Sequence, residues 1–297
     1  MRSSNASRER RVWQVNSQNT SSLIKIGGEF KAAFLKDLRS YVRYPAWLLG
    51  EFISTPLWFF FFALGVTLFS PTNVANSSVN SFNFFYFGFI FIILFSTAVW
   101  GIGQSIRNEQ QAGTLEQFFL APVNRATLIV GRWARVFLTD VLIIGYTTVI
   151  VYTLGNEQPV MHNPGLFLFS LGLYEIGLIG FGLFFAGLTM RIKSYNTLSN
   201  MVFFGYMILT GALFPIDVIP TPFRYISMAI PFTYFIDLMR NAALSTSTIL
   251  PASTEYFMAT ILAFSMLLIG FVAFNEIESQ ARVKGTISAM WSRPLRF

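Results

Sequence analysis

Residues 167–187 read FLFSLGLYEIGLIGFGLFFAG, a run whose only charged residue is Glu175. A helix rises about 1.5 Å per residue, so a run of this length matches a hydrocarbon core about 30 Å thick. The segment predicts a bilayer-crossing helix. A charge near the middle of such a helix costs roughly 2.5–3.5 kcal/mol on insertion scales unless it is protonated, paired or wetted. Glu175 therefore carries two readings, a proton relay or substrate contact, and a structural hydrogen bond inside a bundle.

Working outward, five further apolar runs have the same character, at about 46–69, 83–105, 134–154, 196–215 and 255–275. With the fourth span written as 164–190, the sequence predicts an all-α membrane protein of six spans. The composition agrees, at 54% hydrophobic and 12% charged residues, about half the charge of an ordinary soluble domain. Nineteen of the 21 Lys and Arg fall before Pro45, between the second and third spans or at the start of the third, in the fourth-to-fifth turn, or in the C-terminal tail. Basic residues are retained in the cytoplasm, so both termini are expected there in a multi-pass plasma-membrane protein.

The net charge of +7 is accounted for by topology and by anionic lipid; no aromatic-basic module points to nucleic acid. Without cysteine, thiolate metal sites and thiol nucleophiles are excluded. The sole histidine, His162, has no acidic cluster beside it for a zinc site. A membrane-embedded transferase would want paired carboxylates or histidines at one surface, whereas the acids here are scattered. Glu51 and Asp140 lie near the cytoplasmic ends of their spans, where water, Arg43 or Arg135 is expected to reach them.

Residues 1–23 are polar without an apolar core, so the expectation is a disordered cytoplasmic tail and not a signal peptide. From 24 to 44 the periodicity gathers Phe30, Phe34, Leu38, Tyr41 and Val42 on one side and Lys36, Arg39, Ser40 and Arg43 on the other, the pattern of a helix lying on the membrane. Pro45 forces a break before the first span. The transmembrane domain is placed at 24–280 and a cytoplasmic tail at 281–297. Gly182 and Ala186 in the fourth span form a small-residue pattern for close helix packing. Phe203 and Met207 in the fifth span are candidates for a greasy passage. The connection at 216–254 is apolar yet broken by prolines, so short helices dipping back into the outer leaflet are predicted.

One polar stretch, Arg107–Arg125 (RNEQQAGTLEQFFLAPVNR), interrupts the apolar pattern. Thr114 and Gln117 have capping-box spacing after Gly113. Leu115, Phe118 and Phe119 then share a face, Glu116 lies outside it, and Pro122 ends the element after about two turns. Glu109 and Arg125 flank this short amphipathic helix.

A second motif lies at 210–240, TGALFPIDVIPTPFRYISMAIPFTYFIDLMR. A small residue then Gly (Thr210, Gly211), an aromatic-Pro pair (Phe214, Pro215), further prolines (Pro220, Pro231), Thr-Tyr (Thr233, Tyr234), and Asp237 with Arg240 follow in order. Together with the E-x3-GT-x-E element between the second and third of six spans, this resembles the membrane subunit of type-2 ATP-binding-cassette (ABC) exporters, over about residues 24–280. Thr210 departs from the Ser common in that family.

The resemblance implies a permease that works as a dimer, here a homodimer, with two copies of a cytoplasmic ABC ATPase. Glu109, Gly113, Thr114, Leu115, Glu116, Phe118, Pro122 and Arg125 would form the coupling helix, seated beside the interfacial helix with Lys36, Arg39 and Arg43. The prolines after Phe214 would form an outer gate, and the substrate would be amphiphilic or hydrophobic: a drug, a lipid or a lipid-linked glycan. No G-x4-G-K-[ST] phosphate loop occurs in the sequence, so no cofactor is expected on this chain, and ATP with Mg is expected on the partner ATPase, in the separate-subunit arrangement usual in prokaryotes. The alternative is a proton-coupled secondary transporter using Glu175.

Overall fold

The computed structural model describes residues 27–69, 81–103, 125–156, 158–189, 192 and 194–283. The polar stretch through Asn124 and both expected tails, apart from the helical residues 281–283, lie outside the described residues. Everything described is helix or connection, without a strand.

Helix α1 (Gly27–Arg43) meets α2 (Pro45–Phe69) at a bend of 84°, the consequence of Pro45 that the sequence predicts. Phe30, Phe34, Leu38 and Tyr41 are shielded on α1, while Lys36, Arg39, Ser40 and Arg43 are exposed. Val42 departs from the predicted inner side and is 61% exposed. It falls on the last turn of α1, beyond the packed part of the helix. The inner side rests on α4 (Arg125–Gly155): a methyl group added at Gly131 would sit 2.9 Å from Ala33 Cβ and 3.0 Å from the Phe30 carbonyl oxygen.

Helix α3 (Ser81–Ser96) continues without interruption into a π-helical turn, Thr97–Gly103. Tyr195 donates to the carbonyl of Val99 at 2.6 Å within that turn, satisfying one of the groups a wider turn leaves free. Beyond α5 (Pro164–Thr189) come α6 (Tyr195–Leu209), a 3-10 turn (Ile216–Val218), α7 (Thr221–Ala229), α8 (Pro231–Leu244) and α9 (Ala252–Val283).

Among the described residues, four stretches are long and apolar enough to cross a membrane: Phe82–Ile102, Thr127–Gly155, Pro164–Thr189 and Ala252–Gln280, with a fifth if the bent α1–α2 pair counts as one. The predicted fifth span, 196–215, is only partly helical. Its 15 residues reach about 22 Å at 1.5 Å per residue, and the chain then turns at Gly211, whose φ of +79° suits glycine.

The bundle centre is aromatic. Phe59, Phe91, Phe95, Tyr174, Phe185 and Phe235 are each under 2% exposed. Helices α5 and α9 meet through glycine. A methyl group at Gly270 would strike the Gly180 backbone, and one at Gly187 would lie 3.4 Å from Phe274 Cα. Gly182, expected to serve close packing of spans, does so by making room for the Ile102 side chain at the end of the Phe82–Ile102 span.

Candidate functional site

At the end of the bundle opposite α1, the motif residues of 210–240 come together. Thr210 caps α6 by donating its hydroxyl to the Tyr206 carbonyl at 2.7 Å. The chain then turns at Gly211, bends through Phe214 and enters the 3-10 turn from Pro215 (ψ 141°). Proline fixes φ and lacks an N–H, so it is tolerated at the first positions of a helix. Pro220 precedes α7 and Pro231 opens α8, which divides this connection into two short helices.

The two helices are stitched by side chains. Thr233 donates to the Ser227 carbonyl at 2.7 Å, and the Tyr234 hydroxyl donates to the Met228 carbonyl at 2.8 Å. Each bond closes the corner at Ile230. Asp237 accepts from the Ile249 backbone N–H at 2.8 Å, and burial raises its pKa above the usual carboxylate range. That bond pins the segment leading from α8 into α9.

Arg240 is the centre of the arrangement. It is 5% exposed and donates from its two terminal nitrogens to the carbonyls of Gly211 and Ala212. Those carbonyls have lost helical partners where α6 ends, and the planar guanidinium can serve both at once. Its carbon lies 3.6 Å from the centre of the Phe84 ring on α3, a cation–π contact. Gly88, one turn along α3, has no side chain to obstruct this: a Cβ there would strike the Ala212 carbonyl oxygen and lie 2.9 Å from Arg240 Nη2. One buried cation thus joins α3, the break after α6, and α8.

His162 belongs to the same end. Its ring bonds the Ala243 carbonyl at 3.0 Å, while the backbone N–H groups of His162 and Asn163 donate to Ala243 and Ala242. The loop before α5 therefore caps the C-terminus of α8. No group of three or more metal-ligating side chains occurs among the described residues.

Deeper in the bundle, the hydroxyls of Tyr174 on α5 and Tyr206 on α6 are 2.6 Å apart, and Tyr174 donates to the Phe91 carbonyl on α3 at 2.9 Å. Phe95 stacks on Tyr206 with ring centres 3.7 Å apart. Nothing in the sequence distinguished these tyrosines from the surrounding aromatic residues. Glu175, beside Tyr174, is 6% exposed, and its Oε1 has no hydrogen-bond partner. Phe203 packs on Trp100, with ring centres 4.6 Å apart, and Met207 is buried. The Phe203 contact joins α6 to the π-turn that follows α3.

At the α1 end, Arg39 and Arg43 are exposed and Lys36 borders a cavity. Glu51 accepts a hydrogen bond from the Tyr41 hydroxyl across the α1–α2 bend. Asp140, expected to be reached by water or by a basic group, lines the same cavity as Arg135, whose charge acts on it; it is 6% exposed, and its Oδ2 has no hydrogen-bond partner. Its span packs α3 and α1 against that face. Glu109, Gly113, Thr114, Leu115, Glu116, Phe118 and Pro122 lie outside the described residues, and Arg125 is the first residue of α4.

Comparison with known proteins gives relatives of one kind. A probable multidrug ABC transporter permease, YbhR, of Escherichia coli (strain K12) is 20% identical over 148 residues, covering 49% of this chain and 39% of that protein. ABC transporter G family member 20 of Dictyostelium discoideum is 21% identical over 300 residues, covering 92% of this chain and 40% of that protein. The chain thus spans about two fifths of the length of these curated relatives. The family model described as ABC-2 type transporter matches residues 28–244. That range runs from the second residue of α1 to the last of α8, taking in both the bend at Pro45 and the Arg240 cluster, and the chain belongs to the ABC-2 type transporter family.

Proposed function

We propose that the chain is the permease subunit of an ATP-driven exporter, crossing the membrane six times with both termini in the cytoplasm. Two copies pair, and each carries one copy of a separate ATPase. In this reading α2 and α6 complete the six spans, with α6 and the Gly211–Phe214 segment together crossing the outer half. Helices α7 and α8 lie in the outer leaflet. The element at Thr114–Ala121 receives the push of ATP-driven closure, and Phe214 with Pro215 forms part of the outer gate. The substrate is amphiphilic or hydrophobic. The name of the bacterial relative, a probable multidrug ABC transporter permease, and the aromatic spans support that class.

The observation that carries the reading is the position of α3. With its π-turn it is a rod of 23 residues, from Ser81 to Gly103, about 34 Å long at 1.5 Å per residue. One end leads in sequence to the polar stretch at Arg107; the other lies under Arg240 at the break after α6. A stiff element touching both regions is what mechanical coupling needs.

Co-expression with a soluble ABC ATPase from the same source, sought first in the neighbouring reading frame, followed by reconstitution, tests this. The chain is expected to alter ATP hydrolysis, and Gly113→Pro or Glu109→Ala to weaken the association. Hydrolysis indifferent to the chain, with association unchanged in both variants, would sink the proposal. The unpartnered Oε1 of Glu175 keeps proton coupling as a second reading. That reading prevails if transport persists without any ATPase and is lost in Glu175→Gln.

A further inference from the structure

A cavity of about 680 Å³ opens between α1, α2, the α3 π-turn and α4, at the opposite end of the bundle from Arg240. Its charges are unevenly satisfied. Asp37 is paired with Arg132 at 3.5 Å, and Glu51 accepts the Tyr41 hydroxyl. Arg135 lies over the Tyr41 ring at 5.1 Å, with its Nε buried and without an acceptor. Five residues further along α4, Asp140 is 94% removed from solvent, and its Oδ2 has no donor. Thr97, whose hydroxyl donates to the Leu94 carbonyl at 2.7 Å, also lies within hydrogen-bonding reach of the Asp140 carboxylate, and the Arg135 charge acts on it, but neither partners Oδ2.

An enclosed carboxylate oxygen without a donor, and an enclosed guanidinium N–H without an acceptor, each carry a desolvation cost that a bound group of opposite character relieves. Both belong to residues lining one cavity. A simple cation approaching Asp140 passes Lys36, Arg132 and Arg135; a simple anion meets Asp140 and Glu51. A ligand bearing both charges suits both ends. Trp100 and Trp133 complete the wall, and indole rings accept ammonium groups on their faces.

The order of the charges also matters. Helix α4 enters the bundle from its α1 end, so Asp140 lies about 7.5 Å deeper along the axis than Arg135. The amine must therefore be the leading group, and the acid must remain at the rim. A phospholipid resting in the adjoining leaflet has the reverse order, with its phosphate nearer the hydrocarbon and its amine outermost. The geometry thus favours a water-borne compound over a resident lipid.

We propose that this cavity binds an organic zwitterion from the aqueous phase, with its ammonium group at Asp140 and its phosphate or carboxylate held by Arg135 and Lys36. The site is separate from the gate at the α8 end. Its occupancy does not depend on how the transporter is driven.

The test uses the full-length chain in phosphatidylglycerol nanodiscs. Binding is read by calorimetry and by the fluorescence of the wall tryptophans. The probes are glycerophosphoethanolamine and 5-aminovalerate as zwitterions, ethanolamine as the lone cation, and glycerol 3-phosphate as the lone anion. At least one zwitterion is expected to bind about tenfold more tightly than either single charge, equivalent to about 1.4 kcal/mol. Asp140→Asn is expected to abolish the advantage of the zwitterion over the anion while retaining the elution profile of the native chain. Failure of both zwitterions to bind, or equal binding of a single-charge probe, overturns the proposal without recourse to any variant. Replacing the nanodisc lipid with phosphatidylethanolamine should leave the affinity unchanged; loss of binding there would show that a lipid headgroup occupies the site and overturn the amine-first orientation.

Discussion

Arg240 does at one point what several residues would otherwise have to do. The end of α6 leaves carbonyls at Gly211 and Ala212 inside the protein, and the guanidinium supplies donors to both. Replacing it with alanine strands those acceptors away from water, and each stranded group costs about 1–3 kcal/mol. Arg240→Ala is expected to destabilise the purified chain by about 3 kcal/mol, read as a lowered midpoint of thermal unfolding in detergent. Arg240→Lys should recover only part of this, since an ammonium is a point charge and not a planar fork. An Arg240→Ala chain that unfolds at the native temperature would refute the assignment. The pattern at 210–240 was legible because prolines, a glycine and charges stand out in an apolar sequence. The tyrosine pair was not: Tyr174 and Tyr206 look like any of the 11 tyrosines and 34 phenylalanines, and only the packing of α3, α5 and α6 brings their hydroxyls together.

Where the elements begin and end follows from local chemistry the sequence displays, and how they pack does not. Pro45 predicted the bend between α1 and α2, and the prolines of 216–254 the breaking of that connection into short helices. The end of α6 at Leu209 was masked by the apolar run continuing to Phe214, and the π-turn after Ser96 has no breaker to announce it. Packing faces were harder still, because glycines recur throughout α5 and hydropathy does not say which face each serves. The contact between Gly180 and Gly270 brings α5 and α9 backbone to backbone, where van der Waals packing has to hold membrane helices together. Gly270→Ala should therefore cost about 1–3 kcal/mol through overpacking, despite alanine being the better helix former. Gly172→Ala on α5, where nothing lies within 4 Å of the added carbon, should be neutral or stabilising by up to about 1 kcal/mol. Thermal unfolding of the two variants in the same detergent decides it; equal midpoints would mean that the glycine contact does not hold these helices together.

At the level of the molecule, the question is whether α3 and α6 move as one body or slide past each other. Three contacts tie them along their length: Trp100 with Phe203 near the α1 end, Phe95 with Tyr206 in the middle, and Arg240 bridging Phe84 to the break after α6. Cores packed this closely do not deform continuously; they shift between discrete arrangements. The proposed push on the polar stretch should therefore tilt both helices together, and the gate should open against other elements or a second copy of the chain. The chain has no cysteine, so Trp100→Cys with Phe203→Cys can be bridged selectively by a short bis-thiol reagent. If α3 and α6 form one body, bridging should leave ATP-dependent export within about twofold of the unbridged double variant, a barrier change of only about 0.4 kcal/mol. Abolition of export with binding of the ATPase intact would show that the two helices must separate, and the lever would then have to be sought between α3 and another partner.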